Sequence, residues 1–239
     1  MNNFQFLTIN DERVLIITLH GRNTRPPKVL EYHKKVMVDY FHLPVNYVVC
    51  PFPHVSHGFC MNQIISSTID DLSLKPDYYF FIDSDCIILQ ENVINMFYDL
   101  VKNKVTVAGQ AWQSNHKKGP NGGIPHAYAS QAFLWFARDL YNKLGRPDCD
   151  HWSEAAGEEF GGDTAERITY ADKRRGYNVS LFYPSHVFEE GYDLDNGCKY
   201  GLGNAYGDNL MYHVSRQDDP RSQDLFVNKC QDVLDGKFK

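Results

Sequence analysis

Two carboxylates one residue apart, Asp83 and Asp85, directly follow the apolar run Tyr78-Tyr79-Phe80-Phe81-Ile82. Such a run reads as a strand from the centre of a covered sheet, so its end lies at the sheet's mouth, where acidic oxygens can bridge a hard divalent cation to phosphate. An ion held there stabilises a departing diphosphate as a Lewis acid. Aspartates also end strands merely as turn formers and helix caps, so the neighbourhood has to decide. The second such pair, Asp193-Leu194-Asp195, sits in a Gly/Asn-rich stretch and reads as a turn. His54 and His57 flank Val55-Ser56 and make a weak zinc signal. Trp112 and Trp152 offer faces on which a sugar can stack, although aromatic side chains more often fill cores. The six cysteines form no C-x-x-C pair, which leaves packed, reduced thiols as the reading.

The elements that must position the aspartates alternate. Residues 14–19 are short and β-branched and end in the polar turn His20-Gly21-Arg22-Asn23, the pattern of a buried strand running into a ligand loop. Helical spacing over residues 27–41, with Pro26-Pro27 in the first turn, predicts a helix, and residues 47–50 a second strand. Met61, Ile64, Ile65, Ile69 and Leu72 share a helix face that ends before Pro76. After the 78–82 strand come a helix over 93–101 and a strand over 105–108. This βα alternation implies an α/β fold with a mainly parallel central sheet flanked by helices, whose ligands sit beyond the carboxyl ends of the strands.

Downstream the pattern loosens. Residues 109–128 are rich in Gly, Asn, His and Lys and read as a surface loop able to act as a lid. A strand at 132–136, a short helix at 138–144, a helix at 163–176, a strand at 179–183, a Gly/Asn/Asp-rich segment at 191–208 and a helix near 225–234 complete the chain.

Composition bounds the partners. The 239 residues are 43% hydrophobic and 23% charged, ordinary for one globular domain, and the net charge of -6 argues against a nucleic-acid binder. Lys117-Lys118 and Lys173-Arg174-Arg175 read as solvated groups rather than an anion-binding stripe. No run approaches the roughly 20 apolar residues of a transmembrane segment, and the first twelve residues lack a signal-peptide pattern, so a cytoplasmic location is expected.

The octet ending in Asp83-Ser84-Asp85 resembles the central D-x-D of GT-A glycosyltransferases, where the motif also follows roughly two βα units. Gly58-Phe59-Cys60-Met61-Asn62 resembles that family's Gly and Asn pattern at a helix start. Gly161-Gly162-Asp163 before a helix resembles the place of the general base in inverting members, and Met211-Tyr212-His213-Val214-Ser215-Arg216 the segment supplying a metal-binding histidine and a phosphate contact. The resemblance spans residues 14–216 in order and implies a single GT-A type domain, with a nucleotide-sugar-binding half over 12–108, an acceptor half over 109–220 and a C-terminal helix over 221–239. It further implies Asp85, Asp83 and His213 as ligands of Mn2+ or Mg2+, Asp163 as the base, and Thr18, His20, Arg22, Asn62, Asp83, Ser84 and Arg216 as contacts of the nucleotide sugar. Manganese is favoured because a histidine in the shell suits it better than magnesium. The implied partners are a nucleoside-diphosphate sugar, UDP- or GDP-linked, and a glycan or glycoconjugate acceptor, and the implied transfer is inverting, with retention the alternative if no base faces the acceptor.

The chain departs from the pattern at Cys86, where many members have a polar residue, and at Gly162-Asp163, where an acidic pair is usual; Glu158 and Glu159 are rival bases. Without the resemblance, Asp163 with Glu166 reads as a helix cap pair, His213 as a hydrogen-bonded core histidine and Asn62 as a helix-start residue. Two other functions compete. Phosphatases of the haloacid-dehalogenase type also use D-x-D after a strand, but on their first strand, and an inactive nucleotide-sugar-binding module would keep the fold without the chemistry.

Overall fold

The computed structural model describes residues 4–21, 27–50, 56–71, 73–90, 92–113, 127–150, 164–169, 178–193, 199–215 and 219–238. Its centre is a seven-stranded sheet built from β1 (Leu7–Ile9), β2 (Glu12–Gly21), β3 (Asn46–Cys50), β4 (Tyr78–Ile82), β6 (Val107–Gln113), β7 (Ala127–Ala137) and β8 (Val179–Phe182). The order is β1-β2-β4-β7-β6-β8, with β3 beside the later part of β2. Strands β2, β3 and β4 pair in parallel, β7 runs antiparallel between β4 and β6, and β8 is parallel to β6. Five strands therefore share one direction while β1 and β7 oppose it, so the sheet is mainly parallel as expected, with a reversal at its middle.

Alternation along these strands sorts the core into two layers. Val14 and Ile16 of β2, Phe80 and Ile82 of β4, and Phe133 and Trp135 of β7 face one side. There they meet α1 (Pro27–Lys34), its π-helical continuation Lys35–Tyr40, α3 (Val93–Lys102) and α5 (Pro220–Leu234). Leu15, Ile17, Tyr79, Phe81, Leu134 and Phe136 face the other side, against α2 (His57–Ile69) and α4 (Arg138–Lys143). Aromatic cross-strand pairs fasten β4 to β7: Tyr79 stacks on Phe136 with centroids 5.1 Å apart, and the Phe80 and Phe133 rings meet edge-on at 4.7 Å. Truncating either phenylalanine to alanine should cost about 3–5 kcal/mol.

The register that delivers Asp83 to the sheet's mouth is pinned at the opposite end of β4. Asp77 N donates to Arg13 O at 2.8 Å, Arg13 N donates to the Asp77 carboxylate at 2.8 Å, and Arg138 N donates to Asp77 O at 2.9 Å. The turn residue Asp77 thus locks β4 between β2 and the end of β7.

A second, wholly antiparallel sheet was not legible in the sequence. It contains β5 (Cys86–Ile88), β11 (Met211–Val214), β10 (Lys199–Tyr206) and β9 (Pro184–Asp193), in that order. Here a stretch to which the sequence assigned no element gains one, and a stretch read as a loop is corrected. The Gly/Asn/Asp-rich stretch at 191–208 contains all of β10 and the end of β9; position 203 of that strand is glycine because the Tyr212 hydroxyl passes where a Cβ would stand. Residues 109–113 and 127–128, read as loop, belong to β6 and β7; residues 114–126 lie outside the described part. Composition misled in both places because cross-strand pairing, which composition does not report, makes these strands.

The helix expected at 163–176 is described only at 166–169, and residues 163 and 170–177 lie outside the described part. Among the described residues no helix is long and apolar enough to cross a membrane. Cys60, Cys86, Cys149 and Cys230 are buried free thiols and Cys50 is buried as well, while Cys198 lies outside the described residues.

Candidate metal and phosphate site

The turn Asp83-Ser84-Asp85 is the place where the chain leaves one sheet and joins the other, since β4 ends at Ile82 and β5 begins at Cys86. Three backbone hydrogen bonds fix it. Asp83 N donates to Ala132 O at 3.1 Å, Cys86 N closes the turn on Asp83 O at 3.0 Å, and Val214 N donates to Asp85 O at 3.2 Å. One aspartate is tied to β7 of the first sheet and the other to β11 of the second. Both are buried, Asp83 at 7% and Asp85 at 3% exposure, and Ser84 is wholly enclosed. The sequence departure at Cys86 is explained by its place: it opens β5 inside the core, and burial, then the charges of Asp85 and Asp83, push its thiol well above its ordinary value.

The carboxylates face different surroundings. Asp83 lies toward α2, where Nδ1 of His57 in the first helical turn stands 3.5 Å from its Oδ1. A shallow indentation too narrow to admit a water begins there, lined by Leu19, Met61, Phe81, Asp83 and Gln131 among others. Gln131 reaches it from a bulge in β7: the pairing steps from Gly109↔Leu134 to Gln110↔Ser130, leaving residues 131–133 to loop out against β6. Gly109 makes this possible, because a Cβ there would stand 2.6 Å from Phe133 O and 2.7 Å from Ala129 Cβ.

Asp85 lies toward the second sheet. Its Oδ2 stands 3.8 Å from Nε2 of His213, which β11 holds opposite Cys86 on one side and Asn204 on the other. His213 is 6% exposed, Gln110 Nε2 lies 3.0 Å from its Nδ1, and the Trp112 ring approaches edge-on at 6.2 Å. Trp112 in turn meets Tyr200 at 4.3 Å, so at least one of its edges belongs to the core.

The donor chemistry fits a divalent ion carried by phosphate. Two ligands each roughly 2.1 Å from one ion stand roughly 3–4 Å apart, so a Asp85–His213 pair at this spacing can share an ion without moving far. Among the described residues no three His, Cys, Asp or Glu side chains gather into a ready metal cage.

The other expected contacts are dispersed. Thr18 is fully buried, and its hydroxyl has no hydrogen-bond partner among the described residues; His20, two residues nearer the strand's exit, is half-buried. Asn62 is engaged away from the aspartates: its amide donates to Asp148 Oδ1 at 2.5 Å and its carbonyl accepts from Cys149 N at 3.0 Å. Together with Ser56, which caps α2 and donates to Asp150, it clasps the segment after α4 onto the helix start. Gly58 lets that segment in, because a Cβ there would overlap the Cys149 carbonyl. The Gly58 to Asn62 pattern therefore has a packing role. Glu166 is wholly buried, whereas Arg22, Asp163, Arg216, Glu158, Glu159, His54 and Trp152 lie outside the described residues.

Sequence reasoning missed the position of His57 and the roles of Gln110 and Gln131. His57 was within reach, since Ser56 is a good helix cap and a helix beginning at 57 in a βαβ unit opens beside the sheet's mouth. Gln110 and Gln131 depend on the bulge, which leaves no local signature beyond one glycine.

No protein-family model matches the chain, and no curated protein matches it in sequence. Its backbone is similar to that of a glycosyltransferase involved in glycosylation of the major capsid of PBCV-1, at a TM-score of 0.35 and 16% identity over 54% of this chain and 62% of that one. It is also similar to the catalytic domain of Drosophila beta1,4galactosyltransferase 7 in complex with xylobiose, with a TM-score of 0.45 and 9% identity over 88% and 78% of the two chains. A point mutant of that Drosophila enzyme, in complex with manganese, UDP-Gal and xylobiose, gives a TM-score of 0.43 and 11% identity over 84% and 71%. The chain thus spans less than two thirds of the first of these proteins. At such scores the functional reading rests on the site itself.

Proposed function

We propose that this protein is a metal-dependent glycosyltransferase that moves a sugar from a nucleoside diphosphate, UDP- or GDP-linked, to a hydroxyl of a glycan or glycoconjugate. One observation carries the reading: a D-x-D turn at the carboxyl end of a central strand, with its second carboxylate 3.8 Å from a buried histidine of another sheet. Asp85 and His213 would hold Mn2+, or Mg2+ in its place, and Asp83 would complete the protein's share from the α2 side. When bound, the ion neutralises charge that gathers on the diphosphate as the glycosidic bond breaks.

The remaining work belongs to the chain. Burial of Asp85 and His213 would keep water from competing with them for a bound ion. The α2 N-terminus, with His57 beside Asp83, adds partial positive charge on the side where the diphosphate would lie. The acceptor oxygen attacks the anomeric carbon, the bond from that carbon to the diphosphate oxygen breaks, and the acceptor proton passes to a base, which we assign to Asp163. An in-line attack of this kind inverts the anomeric centre.

The test is product formation. Purified protein with Mn2+ and a panel of UDP- and GDP-sugars should release nucleoside diphosphate on addition of glycan acceptors, and Asp85→Asn should not. Nucleotide-sugar binding without release across a broad acceptor panel would favour a binding module, and phosphate release from simple phosphomonoesters would favour a phosphatase.

A further inference from the structure

Gln110 is wholly buried in β6, beside the bulge, and its amide touches two groups of the second sheet. Nε2 donates to the Tyr206 hydroxyl at 2.7 Å and lies 3.0 Å from Nδ1 of His213. An amide NH2 has only hydrogens to give, so in this arrangement Nδ1 accepts and the imidazole proton sits on Nε2, facing the Asp85 carboxylate. The carbonyl Oε1 of Gln110 is enclosed and has no hydrogen-bond partner among the described residues.

Turning the amide over exchanges these roles. Oε1, with two lone pairs, then accepts from the Tyr206 hydroxyl and from His213 Nδ1–H, and the NH2 takes the position where the carbonyl had no partner. The two arrangements leave one amide end unsatisfied each, so neither is strongly preferred by hydrogen bonding alone. What separates them is the group facing Nε2. A bare carboxylate favours Nε2–H, whereas a cation requires the Nε2 lone pair and hence the proton on Nδ1.

We propose that Gln110 is a positioning residue whose side-chain amide selects the His213 tautomer, and that it turns over when a divalent cation binds between His213 and Asp85. This rests on the metal reading above. The device explains why a glutamine is buried between a tyrosine and a histidine, since an amide can serve either tautomer where a fixed donor or a fixed acceptor serves only one.

The test uses the full chain and Mn2+ alone, with free Mn2+ followed by electron paramagnetic resonance. Gln110→Glu, whose carboxylate can only accept, should bind Mn2+ at least as tightly as wild type. Gln110→Met, which offers Nδ1–H no comparable acceptor, should bind it roughly 10–100-fold more weakly. Equal binding by wild type and Gln110→Met overturns the inference alone; equal weakening in both variants assigns Gln110 a packing role and also overturns it. Absence of Mn2+ binding by wild type, with UDP or GDP added as well as without, overturns the metal reading and this inference together.

A second readout uses the nitrogen spectrum of 15N-histidine-labelled protein, with the His213 signal identified by its loss in His213→Gln. The signal should report Nε2–H without cation and Nδ1–H with the diamagnetic probe Zn2+. One tautomer under both conditions contradicts the proposal.

Discussion

The two halves of one turn live in different environments. Asp85 is held by the second sheet against a histidine that is itself clamped by a buried glutamine, and little of that assembly reaches solvent. Asp83, two residues earlier, lies buried beside the start of α2, next to a histidine whose side chain is 27% exposed. We propose a division of labour: the Asp85 side, buried against the second sheet, would supply the fixed ligands of an ion, while the Asp83 side, next to the partly exposed His57, would meet the arriving diphosphate. A single D-x-D could serve both because it is also the crossover between sheets.

The sharpest way to break this comparison is to remove one carboxylate. Asp85→Asn should lower turnover by about 10³-fold or more, in keeping with several kcal/mol of charge stabilisation lost, with the melting temperature near that of wild type. Steady-state assays of released nucleoside diphosphate check it, and full activity would remove Asp85 from the metal site.

The paired histidines sharpen the same contrast. His213→Gln should weaken Mn2+ binding by roughly 10–100-fold, whereas His57→Gln should leave Mn2+ affinity nearly unchanged and weaken the metal–nucleotide complex instead. Calorimetric titrations with Mn2+ alone and with Mn2+ plus UDP or GDP separate the two. Equal effects of both variants on Mn2+ alone would erase the distinction between the sides.

A third perturbation acts through the backbone. Gly109→Ala sets a methyl against Phe133 O and Ala129 Cβ, so it should destabilise the fold by about 1–3 kcal/mol in denaturant unfolding and disturb the bulge that carries Gln110 and Gln131. Unchanged stability would mean that the bulge does not depend on a close approach.

The smallest effect concerns the α2 side. Burial pushes the Cys149 thiol from its ordinary 9.0 up to about 12. Between those values the unfolded chain gives up a proton that the folded chain keeps, so stability should fall as pH rises through the window, and Cys149→Ala should flatten the fall. Melting temperatures from pH 8.5 to 10.5 read this directly; a rising curve would contradict it.

Much of the first sheet was legible. The 78–82 strand is observed with those bounds, because a wholly apolar run between Asp77 and Asp83 leaves little freedom, and α1 to α3 follow their apolar faces. The β7 reversal and the second sheet were not legible, since pairing partners far apart in sequence decide them: β5 is three residues whose strand character comes from β11. At the site, Asp85 with His213 was read through the resemblance, and the two are neighbours in space. Asn62 was read as a nucleotide contact from the same pattern, but its side chain is engaged by Asp148 and Cys149, a contact that no spacing within α2 could reveal.

The proposed function requires the D-x-D turn and His213 to hold a divalent ion against a diphosphate. Its most direct test is calorimetric titration of UDP and of GDP into wild type and Asp85→Asn, each with Mn2+ and with chelator. One nucleotide should bind wild type only when Mn2+ is present and should lose that binding in Asp85→Asn. Nucleotide binding that is equally strong with chelator, or unaffected by the substitution, would contradict it.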